Sequence, residues 1–184
     1  MTSPSISSPQ TIAIVGAGFS GTLVAIHLLS RAEGPLRVYL IERKPPFGGG
    51  VAYSTRSSDH LLNVPVERMG AWPENPEDFF QWLQDHRGEP EIPDRIGRGD
   101  FVPRRLFGDY IASLLAEARQ SAASQVELVQ INGEVMDLDE GPDGGGKLRL
   151  ADGQEIDLTS TDPTSVLVRE AIYKEIARLR RRRW

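Results

Sequence analysis

The residues best suited to chemistry lie near the start of the chain. Gly16-Ala17-Gly18-Phe19-Ser20-Gly21 is a G-x-G-x-x-G run. The apolar, β-branched stretch at residues 11–15 precedes it and predicts a buried strand. Residues 19–30 follow, with Leu23, Val24, Ile26, Leu28 and Leu29 placed as in a largely buried helix. A second short strand, residues 37–41, ends beside Glu42, which lies 21 positions after Gly21. Strand, glycine turn, helix, and a second strand with a trailing acid together form a dinucleotide-binding fingerprint. Each residue type has a physical task. Gly16 permits the tight turn, Gly18 leaves no Cβ between backbone and a pyrophosphate, and Gly21 lets the helix pack on the strand. Phe19 and Ser20 complete the turn, whose unpaired amide hydrogens and helix dipole attract an anion. Glu42 can accept hydrogen bonds from a ribose diol, and its charge would repel a 2′-phosphate. Taken alone, the glycine run is a weak signal, since such turns arise by chance and Glu42 reads equally as a surface acid. Its register with two strands and a helix gives it weight.

Those elements need a protein able to bury them. The chain has 184 residues, room for one domain and a small appendage. Hydrophobic residues make up 39% and charged ones 26%, which excludes a disordered chain and a membrane bundle. The net charge of −5 argues against a nucleic-acid-binding surface. With no cysteine there is no disulfide, thiolate metal centre or cysteine nucleophile. The three histidines, His27, His60 and His86, are scattered, so no metal site is expected. Residues 11–29 carry no Asp, Glu, Lys or Arg, nearly the length of a membrane span. Gly16, Gly18, Ser20, Gly21 and Thr22 interrupt that stretch, and no basic residue precedes Arg31. It therefore reads as strand, turn and helix rather than as a span or a signal peptide. A cytoplasmic location is the expectation.

Further along, residues 1–10 are Ser/Pro-rich and are expected to be disordered. Residues 47–72 read as irregular and contain Gly48-Gly49-Gly50. Asn75-Pro76-Glu77-Asp78 suits a helix start, and that helix would run to about His86 with Phe79, Phe80, Trp82 and Leu83 as a packing stripe. A second helix is predicted over 103–118. The period then changes to two, giving strands at 126–131, 134–139, 147–150 and 154–158, joined by turns at Asn132-Gly133, 141–146 and Asp152-Gly153. Asp162-Pro163 would open a last helix reaching Arg183. The fold class is thus α/β: a Rossmann-like domain with a parallel sheet over 11–158, carrying a β-meander, followed by a C-terminal helix over 159–184.

The fingerprint does not separate NAD from FAD, since both present ADP to the same groove. Further blocks extend it: IAIVGAGFSGTLVAIHLL, LIER, GGGVAYST, HLLNVPVERMGAWPENPEDFFQWL and FVPRRLFGDY. In this order they resemble the FAD/NAD(P)-binding protein family, related to flavin-containing monooxygenases and to lysine and ornithine N-hydroxylases. The likeness covers about residues 11–158. It implies FAD as cofactor, with NAD(P)H as electron donor. Gly16, Gly18 and Gly21 would hold the pyrophosphate and Glu42 the adenosine ribose, with Arg43 beside the adenine. Gly48 to Gly50, Val51, Ala52 and Tyr53 would pass near the flavin. His60, Leu61, Leu62, Asn63 and Val64 would approach its ring, with Asn63 the residue for an orienting hydrogen bond. Pro103, Arg104 and Tyr110 would begin the helix beside the cofactor domain.

Two departures stand out. After Ile156 the resemblance calls for a strand ending in an Ala-Thr-Gly-like turn, and neither that turn nor a second G-x-G-x-x-G follows. The expectation is a chain truncated relative to its family. Three functions stay open. The first is an NAD(P)H-dependent, monooxygenase-like oxidoreductase that binds FAD and has no assigned catalytic residue or substrate. The second is a non-catalytic dinucleotide-binding module or remnant that needs a partner subunit or a second copy. The last is an NAD-dependent dehydrogenase, for which Tyr173-Lys174 has the wrong spacing. The basic run Arg180 to Arg183 reads as helix C-terminal charge or as a contact for an anionic partner.

Overall fold

The structure, a computed structural model, describes residues 9–141 and 145–158. In order they form β1 (Gln10–Val15), α1 (Phe19–Arg31), β2 (Leu36–Glu42), α2 (Gly50–Tyr53), a 3-10 turn (Val66–Arg68), α3 (Asp78–Asp85), α4 (Arg104–Ser121), β3 (Val126–Asn132), β4 (Val135–Glu140), β5 (Gly146–Leu150) and β6 (Glu155–Leu158). They divide into two compact units. Of the described residues, the first takes those at 9–16, 27–45 and from 121 on; the second takes those at 17–26 and 46–120. The helix expected over 159–184, with Arg180 to Arg183, lies outside the described residues, as does most of the expected N-terminal tail. Gln10, assigned to that tail, instead opens β1, its N–H donating to the Pro35 carbonyl at 3.0 Å.

In the first unit, β1, β2 and β3 form a parallel sheet in that order. Val15 stands opposite Ile41, and Leu36 opposite Val126. The apolar residues of β2 (Val38, Leu40 and Ile41) are almost wholly buried, as expected of an inner parallel strand. β4, β5 and β6 form an antiparallel meander. Ala13 and Ile41 from the parallel sheet join Leu148, Leu150 and Ile156 from the meander in one buried cluster. Period-two alternation on β5 turns Leu148 and Leu150 into that cluster and leaves Lys147 and Arg149 on the other face. There Lys147 Nζ meets Glu155 Oε2 at 2.8 Å, and Arg149 Nη2 meets Asp139 Oδ2 at 2.6 Å, so acids of both neighbouring strands flank the cations of the middle strand.

One expectation is corrected here. Residues 126–131 were read as the first strand of the meander, turning at Asn132-Gly133. β3 instead pairs in parallel with β2, and the Glu42 carbonyl accepts from Gly133 N–H at 3.0 Å and Asn132 Nδ2 at 2.9 Å. The physical reason is position. β3 ends the sheet order with exposed residues set among buried ones, and such a strand reads in sequence much as a hairpin strand does.

The second unit is built around aromatic rings. Phe79 of α3 and Phe107 and Tyr110 of α4 are fully buried. The Phe79 and Phe107 rings meet edge to face at 5.1 Å, and Tyr53 lies 4.8 Å from Phe107. The stripe on α3 packs as expected: Phe79 and Leu83 are buried, while Phe80 lies under the Arg98 guanidinium at 5.3 Å. α3 begins at Asp78, three residues later than the Asn75 signal, with that carboxylate in its first turn. Within the expected irregular stretch 47–72 lie the single turn of α2 and the 3-10 turn, and Leu61 bridges to Pro103. Tyr110 ties this unit together. Its hydroxyl donates to Asp78 Oδ2 at 2.5 Å and accepts the Ala71 N–H at 2.9 Å. Burial first, then the bond to Asp78, raise the phenol far above its ordinary range.

Two outcomes follow from these contacts. Tyr110→Phe leaves a buried N–H and a carboxylate short of a partner, and should lower the unfolding free energy by about 1–3 kcal/mol in chemical denaturation. On the meander, Lys147 holds Glu155 below the usual carboxylate range, while Glu155 raises Lys147. The pair therefore stabilises between the two unfolded-state values. It weakens as pH falls through the lowered Glu155 value or rises through the raised Lys147 value. NMR titration of Glu155 should find its carboxyl depressed, and Lys147→Met should return it towards an ordinary glutamate.

Candidate functional site

The glycine turn starts where β1 stops. Parallel pairing carries the strand pair past Val15, and Gly16 N–H donates to the Ile41 carbonyl at 2.7 Å. Gly16 has φ +100°, a backbone conformation that favours glycine, so the chain can break away from the sheet here. The same pairing sets Glu42 directly after Ile41, at the carboxyl end of β2. That is the edge of a parallel sheet where ligands gather in this type of fold. Glu42 is partly exposed, and its Oε1 accepts the Lys44 N–H at 3.0 Å. The next residue, Arg43, is exposed, with Nη1 at 3.6 Å from Glu134 Oε1. The first unit thus places Gly16, Glu42 and Arg43 at one end of the β1–β2 pair.

In the second unit the remainder of the turn is held by a glycine-rich loop. Gly48 N–H donates to the Ala17 carbonyl at 2.8 Å. Gly50, at φ +51°, approaches Gly18 so closely that a Cβ on it would stand 2.8 Å from the Gly18 Cα. The reverse does not hold. A Cβ on Gly18 would meet only the Gly50 Cα, at an ordinary 3.6 Å, and Gly18 is not among the positive-φ glycines. The loop therefore needs its glycine, whereas among the described residues neither space nor backbone angle requires one at position 18.

The other predicted residues separate into groups. Phe19 turns its ring to Tyr53 and Phe107, at 6.1 and 5.5 Å, so its side chain is anchored in the aromatic cluster. Ser20 is exposed and Gly21 partly buried in the first turn of α1. Val51 follows Gly50 and is wholly exposed. Asn63 is exposed too, set by the bond from Leu62 N–H to the Val102 carbonyl at 2.9 Å. His60 is exposed, with Nδ1 at 2.6 Å from Thr55 Oγ1. Arg104 is tied to this loop: its N–H donates to the His60 carbonyl at 2.8 Å and its Nε to the Leu61 carbonyl at 3.0 Å.

Sequence reasoning missed Thr22. Among the described residues it is the one polar, non-aromatic side chain that is fully buried, and its Oγ1 donates to the Ala17 carbonyl at 3.2 Å. The available signal was a hydroxyl one position after the last fingerprint glycine, in a stretch otherwise apolar. Among the described residues no group of three or more His, Asp or Glu could hold a metal ion, and no helix is long and apolar enough to cross a membrane.

A family model described as FAD-NAD(P)-binding matches residues 13–161. No curated protein matches the chain. Among solved structures, a cyclohexanone monooxygenase from Rhodococcus sp. Phi1 bound to NADP+ is similar over 82% of this chain and 25% of its own, at 16% identity and a TM-score of 0.51. An oxidised steroid monooxygenase bound to NADP is similar over 81% of this chain and 24% of its own, at 19% identity and a TM-score of 0.50. A closed crystal structure of cyclohexanone monooxygenase aligns over 82% and 25%, at 13% identity and a TM-score of 0.51. At these identities the likeness concerns the fold. The chain spans about a quarter of the length of those structures.

The asymmetry between the two facing glycines can be measured. Gly50→Ala should lower the unfolding free energy by about 1–3 kcal/mol, through its left-handed backbone and the clash with Gly18. Gly18→Ala should change it by less than about 1 kcal/mol in the same denaturation experiment.

Proposed function

Because the chain belongs to the FAD-NAD(P)-binding family, whose pattern covers residues 13–161, we propose that it binds FAD through the ADP half of the cofactor. The observation that carries this reading is Gly18, a glycine that the fold itself does not use. A missing Cβ without an internal reason is accounted for by close approach of a ligand to the backbone. The amides of Gly18, Phe19, Ser20 and Gly21, at the start of α1, would hold the pyrophosphate, with Gly16 making the turn. Glu42 would accept from the ribose hydroxyls, and Arg43 would lie on the adenine side. Gly50, Val51 and Asn63 are assigned to the flavin side; the full exposure of Val51 leaves an apolar surface there for a ring system. These residues suit FAD, since they supply an anion cradle, a diol acceptor and no competing charge in the turn itself.

FAD, when bound, supplies hydride acceptance from a nicotinamide and electron transfer to oxygen or another acceptor. The chain's own residues would position the cofactor and need not move protons. An NAD(P)H-dependent, monooxygenase-like oxidoreductase is the activity this family membership favours. A second reading is that of a dinucleotide-binding module without catalysis of its own. On that reading it is a dinucleotide-binding part that turns over only with further protein, from a partner or a second copy. The two readings differ in whether protein beyond the glycine turn and Glu42 would enclose the cofactor and exclude water from it.

The test begins with colour. Purified protein should carry or take up FAD, with flavin absorbance and a cofactor identified by mass. Gly18→Ala, by setting a Cβ between backbone and pyrophosphate, and Glu42→Ala, by removing a charged acceptor, should each weaken ADP and FAD binding by roughly ten- to hundredfold. NAD(P)H oxidation then separates the enzyme from the binding part. Protein that takes up neither FAD nor ADP would overturn both.

A further inference from the structure

We propose that Thr22, buttressed by the loop Gly48 to Gly50, is a positioning residue that fixes which way the Gly18 amide points, and so sets the affinity for the ligand's phosphates. This rests on the dinucleotide reading above and goes beyond the fingerprint, in which position 22 has no part.

The argument is geometric. The Ala17 carbonyl accepts two hydrogen bonds, from Gly48 N–H at 2.8 Å and from Thr22 Oγ1 at 3.2 Å. Ala17 and Thr22 are both completely buried, so these bonds lie inside the second unit. In a trans peptide the carbonyl and the following N–H point to opposite sides of the chain. The bonds that hold the Ala17 oxygen on one side of the peptide therefore turn the Gly18 N–H to the other, and a Cβ on Gly18 would itself meet only the Gly50 Cα. The Thr22 N–H donates to the Gly18 carbonyl at 3.0 Å, so the far side of Gly18 is fixed as well. Both peptides of Gly18 are clamped before any ligand arrives, and little ordering remains to be done on binding. A serine, alanine or valine could form the same helix, but only a hydroxyl holds the second bond. Valine has nearly the shape of threonine and removes that bond alone.

Thr22→Val and Thr22→Ser are the variants, and ADP and adenosine are the probes, titrated by calorimetry and ligand-observed NMR. Thr22→Val should bind ADP roughly five- to tenfold more weakly, the loss expected for one hydrogen bond. Adenosine, which has no phosphate, should bind it within about twofold of wild type. Thr22→Ser should restore ADP binding to within about twofold. If Thr22→Val fails to fold, Thr22→Cys, whose thiol is a weak donor, should show the same ADP-selective loss. Unchanged ADP affinity in the valine or cysteine variant overturns the proposal, as does an equal loss for ADP and adenosine, which marks a merely structural role. Wild-type protein that binds neither ADP nor FAD overturns the dinucleotide reading itself, and the role of Thr22 with it.

Discussion

A peptide group can offer its carbonyl to one side only, and at Ala17 that side is the interior. The Ala17 oxygen collects the Gly48 N–H and the Thr22 hydroxyl, and the direction of the next amide follows without further choice. Most accounts of a glycine turn rest on what glycine allows. Here the turn is defined by what its neighbours forbid. Gly50 stands so near Gly18 that no side chain fits on it, and Thr22 is buried completely. A flexible segment of small residues becomes a fixed one, and a fixed array of donors loses little entropy when it meets an anion.

The parallel pairing of β1 with β2 supplies the other half of the arrangement. Gly16 N–H on the Ile41 carbonyl extends the ladder one step past Val15. Gly16 and Glu42 therefore stand at the same sheet edge, although they lie 26 positions apart. β3 reinforces this by bonding the Glu42 carbonyl from both Asn132 and Gly133. The backbone that carries the acid is held at its own carbonyl, and its carboxylate accepts the Lys44 N–H at 3.0 Å. Positions on strand ends are better defined than positions on loops.

The fingerprint, both of its strands, α1, α3 and α4 were legible because periodicity and glycine punctuation are local signals. The place of β3 was not. Val126 and Leu128 flank Glu127, and Val129 and Ile131 flank Gln130, and nothing local tells an edge strand of a parallel sheet from the first arm of a hairpin. Only its partner, Leu36 to Glu42, decides the matter. Thr22 was hidden for a different reason. Its role comes from Ala17 and Gly48, one close in sequence and one across the fold, and a threonine in a helix is ordinarily a neutral residue. Gly48 to Gly50 read equally as a flexible turn and as a functional loop. The contact between Gly50 and Gly18 shows why the glycine is needed.

The residues assigned to the cofactor are backbone amides, one carboxylate and glycines that make room. None of them has to change protonation state for a dinucleotide to bind. Recognition of the ADP half and turnover are therefore physically separable here: the first depends on the direction of a few N–H groups and one acid, the second on how the flavin is enclosed. A chain can keep the first while the second is supplied elsewhere, and substitutions in the turn should act through affinity rather than through the chemical step. This separation gives the glycine turn the same role in both readings, the enzyme and the binding part. It also makes the turn the wrong place to look for the difference between them. On the proposed reading that difference would lie beside Val51, which stands fully exposed next to the buttressing loop.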